Sequence, residues 1–553
     1  MHVEASVRIL RSLVLGVLVA APHAVADPST PHLRRQGTAV QLIVDGKPFL
    51  IRGGELGNST ASNPAYLRQF WPRFAELNMN TVLAPVYWDL IEPEERRFDF
   101  STVDQLIADA RKNEMRLVLL WFGSWKNSMS CYAPAWVKRD SRRFPRATDR
   151  HGTPQEILSP FSVENRDADV RAFATLQRHL REIDGAVHTV LMIQVENEIG
   201  MIPTARDHGA EADRAFASPV PAELVGYLEA HEDELAPELR AAWLGARGKP
   251  SGTWSDVFGS GPAGEEVFMA WHFARYAEAV AAAGKREHAL PMFVNAALIR
   301  PGHQQGQYPS GGPLPHLADV WRAAAPSIDF LAPDIYFQNF VEWARRYKRS
   351  GNPLFVPEAM RSAEASVNGL YAIGAHDAIG FSPFGIESIG EAAAKHLAAS
   401  YGLVAQLQPL ILRLQGNGLT AGLLSEGPEQ RQPQQVRLGD YVLAATFEQG
   451  TPPSLADGVV PTGPAAGPPP PSGGLVLATA PDEFIVAGTA VTITFAPSVA
   501  GKRAGILSAE EGRFVAGRWE NVRWLNGDET HQGRHVRLEP RRFSMQRVRL
   551  YLY

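Results

Sequence analysis

Cysteine is almost missing from this chain of 553 residues, which contains only Cys131. A single cysteine excludes an intramolecular disulfide, and the lack of any cysteine near the N-terminus excludes a lipid-modified N-terminal cysteine. We expect Cys131 to be an ordinary loop or half-buried residue rather than a nucleophile. The 16 histidines show no spacing with cysteine or carboxylates that is typical of a metal site, so we predict neither a metal nor a cofactor.

The chain also lacks a surplus of positive charge. Its 54 lysine and arginine residues are outnumbered by 59 aspartate and glutamate residues, for a net charge of −5. No basic stripe with interleaved aromatic residues is visible, so nucleic acid is not expected as a partner. The length and a hydrophobic content of 45% predict a globular protein with a large core and two or three domains.

Only the N-terminus carries an apolar run that resembles a targeting segment. Arg8 and Arg11 precede the run Leu13–Ala21, and Ala24–Ala26 follow it. This order predicts a signal peptide over residues 1–26, cleaved after Ala26. An apolar run this short does not comfortably span a bilayer, and an N-terminal anchor fits it less well. We therefore expect no stable membrane insertion and a periplasmic or secreted mature protein.

Residues 27–405 alternate short apolar runs with amphipathic segments, which is typical of parallel strands joined by helices. Eight such strands predict an α/β fold of the (β/α)₈ barrel type. The longest connection follows the fourth strand and predicts an insertion at about 203–262. The predicted strands are Phe49–Gly54, Thr81–Tyr87, Leu117–Phe122, Val190–Glu196, Pro291–Asn295, Ile328–Pro333, Pro353–Glu358 and Ala378–Ser382.

The composition changes to alternating, strand-like runs beyond the barrel. Tyr441–Phe447 and Val491–Phe495 are examples, and they predict a smaller β-sandwich over residues 406–553. The segment Thr451–Gly474 ends in a Pro/Gly-rich stretch. We interpret it as a long loop inside the β-domain rather than an interdomain linker, because strand-like sequence lies on both sides of it.

Two predicted barrel strands end in carboxylates. Thr189–Glu198 ends with Asn197 and Glu198, and Pro353–Glu358 ends with Glu358. A single glutamate after a strand could equally begin a loop, but catalytic groups of such barrels lie at the C-terminal strand ends. Two carboxylates on separate strands indicate glycoside hydrolysis. Because side chains alternate along a strand, Glu196 would share the face of Glu198, so we expect the regular strand to end before Glu198.

The remaining strand ends supply aromatic and polar side chains that suit sugar rings. Any one tryptophan among them could equally belong to the packed core. The candidates for substrate binding are Glu55, Tyr87, Trp88, Trp125, Lys126 and Asn127, and Asn295 and Phe384 also end strands.

With these motifs, residues 40–400 resemble glycoside hydrolase family 35, the β-galactosidases of the large clan of retaining (β/α)₈ enzymes. The resemblance is carried by Gln194–Gly200, Glu358, Tyr87–Glu94 and Phe98–Phe100, and the tail resembles the β-domain of some bacterial members. The sequence departs from the animal enzymes of that family, because Gly53–Gly57 lacks their histidine and Ile199 replaces the usual tyrosine.

The resemblance implies roles for individual residues. Glu198 would be the general acid/base, Glu358 the nucleophile and Asn197 the amide that holds the sugar 2-hydroxyl, while Tyr336 resembles the tyrosine that steadies the nucleophile. It implies removal of terminal β-D-galactosyl units from oligo- or polysaccharides, such as those derived from xyloglucan or other plant-type glycans.

Two alternatives stay open at this point. One is another retaining exo-glycosidase, such as an arabinosidase or a β-glucosidase, and the other is a noncatalytic carbohydrate-binding barrel. The sequence does not specify the oligomeric state.

Overall fold

The computed structural model describes residues 30–553 apart from 246–248, 250, 350, 426, 428, 429, 431 and 449–469. The predicted signal peptide lies outside the described residues, as does most of the predicted loop at 451–474, whose last two residues begin a strand. In the part of the chain that is described, no helix is both long enough and apolar enough to cross a membrane.

A closed barrel of eight parallel strands forms the centre of the chain and confirms the predicted (β/α)₈ fold. A small antiparallel sheet precedes it, consisting of β1 (His32–Gln36), β2 (Ala39–Val44) and β3 (Lys47–Phe49). The barrel begins with β4 (Ile51–Glu55), β5 (Thr81–Tyr87) and β6 (Arg116–Lys126). A hairpin follows, formed by β7 (Arg146–Thr148) and β8 (Pro154–Leu158). The barrel is completed by β9 (Val190–Asn197), β10 (Met292–Ala297), β11 (Phe330–Ile335), β12 (Phe355–Ala359) and β13 (Gly380–Pro383). Every predicted strand overlaps one of these eight.

Helices cover the outside of the barrel because each carries an apolar stripe. Leu106 and Ile107 of α4, like Phe173 and Leu176 of α6, are buried at helical spacing. Four helices, α7–α10, lie between β9 and the long helix α11, within the predicted insertion. The α-helices are α1 (Pro64–Leu67), α2 (Trp71–Glu76), α3 (Trp88–Ile91), α4 (Ser101–Lys112), α5 (Ala135–Arg139), α6 (Val163–Asp184), α7 (Ala210–Phe216), α8 (Ala222–Ala230), α9 (Pro237–Gly245), α10 (Trp254–Phe258), α11 (Pro262–Glu287), α12 (Ala318–Ala324), α13 (Phe340–Tyr347), α14 (Ala365–His376) and α15 (Glu391–Leu414).

Two antiparallel sheets follow the barrel and enclose a second core, to which Leu443 and Ile493 of one sheet and Phe484 and Val548 of the other belong. The opposite face of the six-stranded sheet packs against α14 and α15. The six strands, in spatial order, are β14 (Thr420–Leu424), β17 (Gly473–Ala480), β18 (Glu483–Thr489), β23 (Ser544–Leu552), β20 (Ala504–Val515) and β21 (Arg518–Leu525). The four-stranded sheet contains β15 (Gln434–Leu438), β16 (Tyr441–Phe447), β19 (Val491–Pro497) and β22 (His535–Leu538).

The predicted start of this β-rich part at residue 406 falls inside a helix. The apolar helical pattern of α15 continues through Ile411 and Leu414, both of which are buried, and the first strand begins at Thr420. The helix continues past Pro409 because its packing against α14 and the six-stranded sheet outweighs the loss of one backbone hydrogen bond.

Candidate active site

The C-terminal ends of the barrel strands bring several ionisable side chains to one place, as the parallel topology requires. All of them are buried, although they arrive from five different strands. They are Glu55 at the end of β4, Lys126 at the end of β6, Glu198 directly after β9, Asp334 in β11 and Glu358 in β12.

Neighbouring residues at the end of β9 enter the site together because the strand loses its regular alternation there. Glu196 and Glu198 both have left-handed backbones, with φ of 60° and 47°. Glu196 is directed away from the site, where its Oε2 accepts a 2.7 Å hydrogen bond from the backbone N–H of Trp125. β9 ends at Asn197, in agreement with the expected end of the regular strand before Glu198. The left-handed turn therefore separates Glu196 from Glu198, which strict alternation would place side by side.

Glu358 accepts hydrogen bonds from three other strand ends. The hydroxyl of Tyr336 donates to Oε2 at 2.8 Å, and Nδ2 of Asn197 donates to Oε1 at 3.2 Å. Nδ2 of Asn295 lies 3.4 Å from the same Oε1. Burial and the charge of Glu358 raise the pKa of Tyr336, so its hydroxyl remains a donor. These contacts fix the position of the Glu358 carboxyl group.

Glu198 is held from its backbone and from its side chain. Its N–H donates to Oδ1 of Asn295 at 3.0 Å, and its Oε2 accepts from Nδ2 of Asn127. Asn127 itself has a left-handed backbone, with φ of 51°, which asparagine tolerates better than most residues. Burial, followed by the charge of Glu358, raises the pKa of Glu198 to about 7, against the opposing effect of Lys126. Such a group can lose and regain a proton near neutral pH.

The two glutamates are close enough for a double displacement. Glu198, Asp334 and Glu358 each offer a carboxylate oxygen that lies within 4.8 Å of the other two. Retaining glycosidases hold their two carboxyl groups about 5–5.5 Å apart, whereas inverting enzymes need about 6.5–9.5 Å to admit a water molecule. The spacing of Glu198 and Glu358 fits the retaining geometry.

The same three oxygens are also near enough to ligate a cation. However, burial raises the pKa of both Glu198 and Asp334, so these two groups favour protons. Lys126 already places a positive charge beside the cluster. The donor set therefore fits proton transfer better than a resident metal ion.

Lys126 reaches the site through an irregularity in β6. The register between β6 and β9 pairs Trp121 with Val195 and next pairs Lys126 with Asn197, so β6 contains three extra residues. Nζ of Lys126 donates to Oδ1 of Asn197 at 2.9 Å. Although burial lowers it, the nearby charges of Glu358 and Glu198 raise the pKa of Lys126 overall, so it remains a cation.

Trp125 lies outside the site, contrary to its prediction as a substrate-binding residue. Its indole N–H donates to the carbonyl of Leu158 at 3.1 Å, and its ring packs against Phe273 and Tyr276 of α11. The extra residues in β6 turn Trp125 outward while Lys126 turns inward. Its bulk therefore fills the space between barrel and helix.

Trp88 and Tyr87 likewise pack beside the barrel strands rather than against the carboxyl groups of Glu198 and Glu358. The indole N–H of Trp88 donates to Glu92 at 2.9 Å, and the side chain is fully buried. The ring of Tyr87 contacts those of Phe122 and Tyr132, with centroids 6.0 and 5.5 Å away. These contacts give both residues a packing role in place of the predicted sugar contact. Glu55, Lys126, Asn127 and Tyr336, by contrast, lie within the site.

Of the site residues, Asp334 is missing from the sequence interpretation and Asn295 is named there only as the end of a strand. Asp334 is 1% exposed and accepts a 2.7 Å hydrogen bond from Nδ2 of Asn295. The available signal for Asp334 was its position inside the apolar run Phe330–Ile335, where an ionisable side chain is costly without a function. Asn295 is recognisable as a strand end, but its bridging contacts are visible only in three dimensions.

The chain is similar to known β-galactosidases over part of its length. Residues 62–256 match the glycoside hydrolase family 42 model, described as β-galactosidase, whereas the resemblance stated from the sequence was to family 35. Residues 397–537 match a domain of unknown function, DUF5597. A curated β-galactosidase of Xanthomonas manihotis is 29% identical over 217 residues, which are 37% of this chain and 32% of that protein. The chain thus matches about a third of the length of this relative.

Solved structures of two β-galactosidases also resemble the chain. The enzyme from Rahnella sp. R3 has 15% identity and a TM-score of 0.45, covering 66% of this chain and 57% of its own. The enzyme from Bacillus circulans sp. alkalophilus has 14% identity and a TM-score of 0.45, covering 65% and 56%. Neither similarity bears on the reaction.

Proposed function

We propose that this protein is a retaining glycoside hydrolase that removes terminal, non-reducing β-D-galactosyl residues from oligo- or polysaccharides. The observation that carries the proposal is the pair Glu198 and Glu358, whose oxygens approach within 4.8 Å at the ends of separate barrel strands. The partial matches to β-galactosidases support galactose as the sugar. A plant-type glycan such as xyloglucan as the substrate, and a periplasmic or secreted location, belong to the same proposal. The first rests on the family resemblance and the second on the predicted signal peptide.

In this proposal Glu358 attacks the anomeric carbon while Glu198 gives its proton to the leaving glycosidic oxygen. The bond to the leaving group breaks and a covalent glycosyl-enzyme forms. Glu198, now ionised, takes a proton from water, and the resulting hydroxide opens the intermediate with a second inversion. Glu198 ends protonated and Glu358 ends ionised, so the enzyme is restored. Asn197 is positioned to contact the sugar beside the nucleophile.

Action on a single terminal sugar is part of the proposal, and it requires a pocket that is closed at one end. Glu198 is 7% exposed, Glu358 is 3% exposed and Asn197 is fully buried. A small, enclosed site binds one ring closely but admits no continuous polysaccharide chain. An extended cleft would instead suit cleavage within a chain.

The test is hydrolysis of a panel of aryl β-glycosides by the mature protein, with product stereochemistry followed by NMR. Selective galactoside cleavage that releases the β-anomer first is expected. Glu358→Ala should lower kcat/KM by more than about 1,000-fold, because it removes the nucleophile. Exposed Glu364 lies six residues further along the chain, and Glu364→Ala is the matched control with unchanged rates.

Other outcomes would revise the proposal in defined ways. Selective cleavage of an arabinoside or glucoside would keep the mechanism and replace the sugar. Release of the α-anomer first would contradict retention. Glycan binding without turnover, unchanged in Glu358→Ala, would show a noncatalytic barrel.

A further inference from the structure

We infer that Glu55 and Asp334 are neutral carboxylic acids in the resting site, donating hydrogen bonds to Glu358 and Glu198 respectively. This inference rests on the proposed function, because it assigns positioning roles beside the proposed catalytic pair. It deepens the mechanism by specifying which carboxyl groups carry protons before substrate binds.

The charge balance of the site favours neutral forms for most of its carboxyl groups. Four buried carboxyl groups face one another there, namely Glu55 on β4, Glu198 after β9, Asp334 on β11 and Glu358 on β12. Lys126 on β6 is the cation that faces them, and Tyr336 contributes a neutral hydroxyl. Carboxylates that share a buried site cannot all ionise, because their mutual repulsion and lost hydration are large. One ammonium balances one carboxylate, so the other carboxyl groups are favoured in neutral form.

Glu55 has the environment of a protonated acid. It is 0% exposed, and neither of its oxygens has a hydrogen-bond donor among the described residues. A carboxylate without donors is very costly to bury, whereas a neutral carboxyl group can use its own O–H as a donor. Burial and the neighbouring charge of Glu358 raise the pKa of Glu55 well above its ordinary value. The proton therefore belongs on Glu55.

Asp334 shows the same pattern beside Glu198. Its Oδ2 accepts from Nδ2 of Asn295 at 2.7 Å, while Oδ1 has no donor among the described residues. One of its oxygens lies within 4.8 Å of both Glu198 and Glu358. Burial, followed by the charges of Glu358 and Glu198, raises the pKa of Asp334. A proton on Asp334 provides Glu198 with a donor.

Each donor has a consequence for the reaction. The O–H of Asp334 joins Nδ2 of Asn127 in stabilising the ionised form of Glu198, which keeps the acid able to release its proton despite burial. The O–H of Glu55 gives Glu358 a further donor beside those of Tyr336 and Asn197, and so helps to hold its carboxyl group in place. Neither Glu55 nor Asp334 transfers a proton in the cycle, so both are positioning residues.

The amide variants Glu55→Gln and Asp334→Asn test the inference, because an amide is neutral and retains a donor. Infrared difference spectra at pH 7, wild type minus variant, should show a positive carbonyl band of a neutral carboxyl group in each case. This band arises because the variant lacks the protonated acid that the wild type has. Each amide variant should keep kcat/KM within about tenfold. The alkaline limb of the pH profile, which is the fall in kcat/KM as Glu198 ionises, should stay at the same pH. Glu364→Gln, at an exposed position, is the spectroscopic control and should remove only carboxylate bands.

The apolar variants Glu55→Leu and Asp334→Leu remove the donor as well as the proton. Loss of a hydrogen bond to a charged group is worth about 1.5–3 kcal/mol, so kcat/KM should fall by about 10- to 100-fold. In Asp334→Leu the alkaline limb should also move to higher pH, because ionised Glu198 loses a donor. A purely structural role would lower the rate without moving this limb.

Loss of only carboxylate bands, or an alkaline limb that moves to lower pH in the amide variants, would show ionised acids and overturn the inference. If an amide variant does not fold, the folded apolar variant at the same position supplies the infrared comparison. Neutral-carboxyl bands in a protein without glycosidase activity would retain this inference and contradict the proposed function. Glycosidase activity together with loss of only carboxylate bands would support the proposed function and contradict this inference.

Discussion

Lys126 donates a 2.9 Å hydrogen bond from Nζ to Oδ1 of Asn197, and thereby orients the amide whose Nδ2 donates to Glu358. A reversed amide would place its oxygen against the carboxylate. Lys126 on β6 thus determines how the amide of Asn197 donates to Glu358, the proposed nucleophile on β12.

Replacing Lys126 with methionine should disturb both the amide and the acid. We expect Lys126→Met to lower kcat/KM by about 10- to 100-fold, the equivalent of one lost charged hydrogen bond. Because Lys126 lowers the pKa of Glu198, its removal should also move the alkaline limb of the pH profile to higher pH. Steady-state rates from pH 5 to 9 measure both effects. A slower enzyme with an unmoved limb would show that Lys126 only orients Asn197.

The wild-type rate should depend on the protonation of Glu198. Its pKa is raised to about 7, so the acid is protonated below that pH and increasingly ionised above it. Because the first step needs the proton, kcat/KM should decline as pH rises through about 7. In Glu198→Gln this limb should disappear, and substrates with poor leaving groups should lose about 10²- to 10⁴-fold in rate. A limb that persists in Glu198→Gln would belong to another group.

Tyr336→Phe removes the donor to Oε2 of Glu358 while keeping the ring. Phe384 remains available to pack against that ring, at a centroid distance of 6.5 Å. We expect kcat/KM to fall by about 10- to 100-fold, since the lost bond goes to a charged acceptor. The unfolding midpoint should change little, because no cavity is created. A large loss of stability without a rate effect would assign Tyr336 to the fold.

Trp125 should affect stability rather than sugar binding. Truncating a fully buried tryptophan to alanine costs about 3–5 kcal/mol, and Trp125 also donates to the carbonyl of Leu158. Denaturant unfolding of Trp125→Ala should show this loss, while the KM of the folded fraction should match the wild type. Trp125→Phe should lose less stability because it keeps part of the contact with α11. A raised KM in the folded Trp125→Phe protein would show that Trp125 contributes to substrate binding.

Much of the fold was predictable because it follows from local patterns. Apolar runs separated by amphipathic segments predicted all eight barrel strands, and alternating runs predicted the β-sandwich. The proposed boundary at residue 406 lies inside α15, because a helix pattern does not reveal against which neighbours its last turns pack. The strand ends with Glu198 and Glu358 were predictable for a topological reason, since parallel barrels gather their C-terminal ends at one rim.

The sequence by itself determined the strands, their order and the ionisable residues at their ends, because the periodicity of apolar side chains is encoded locally. Only the tertiary structure decided which side chains meet. The extra residues in β6 turn Trp125 outward and Lys126 inward, and the left-handed backbone at Glu196 and Glu198 brings Asn197 and Glu198 into one site. Such breaks in alternation depend on contacts between distant strands. The proximity of Asp334 to the catalytic pair likewise arises only when the barrel closes.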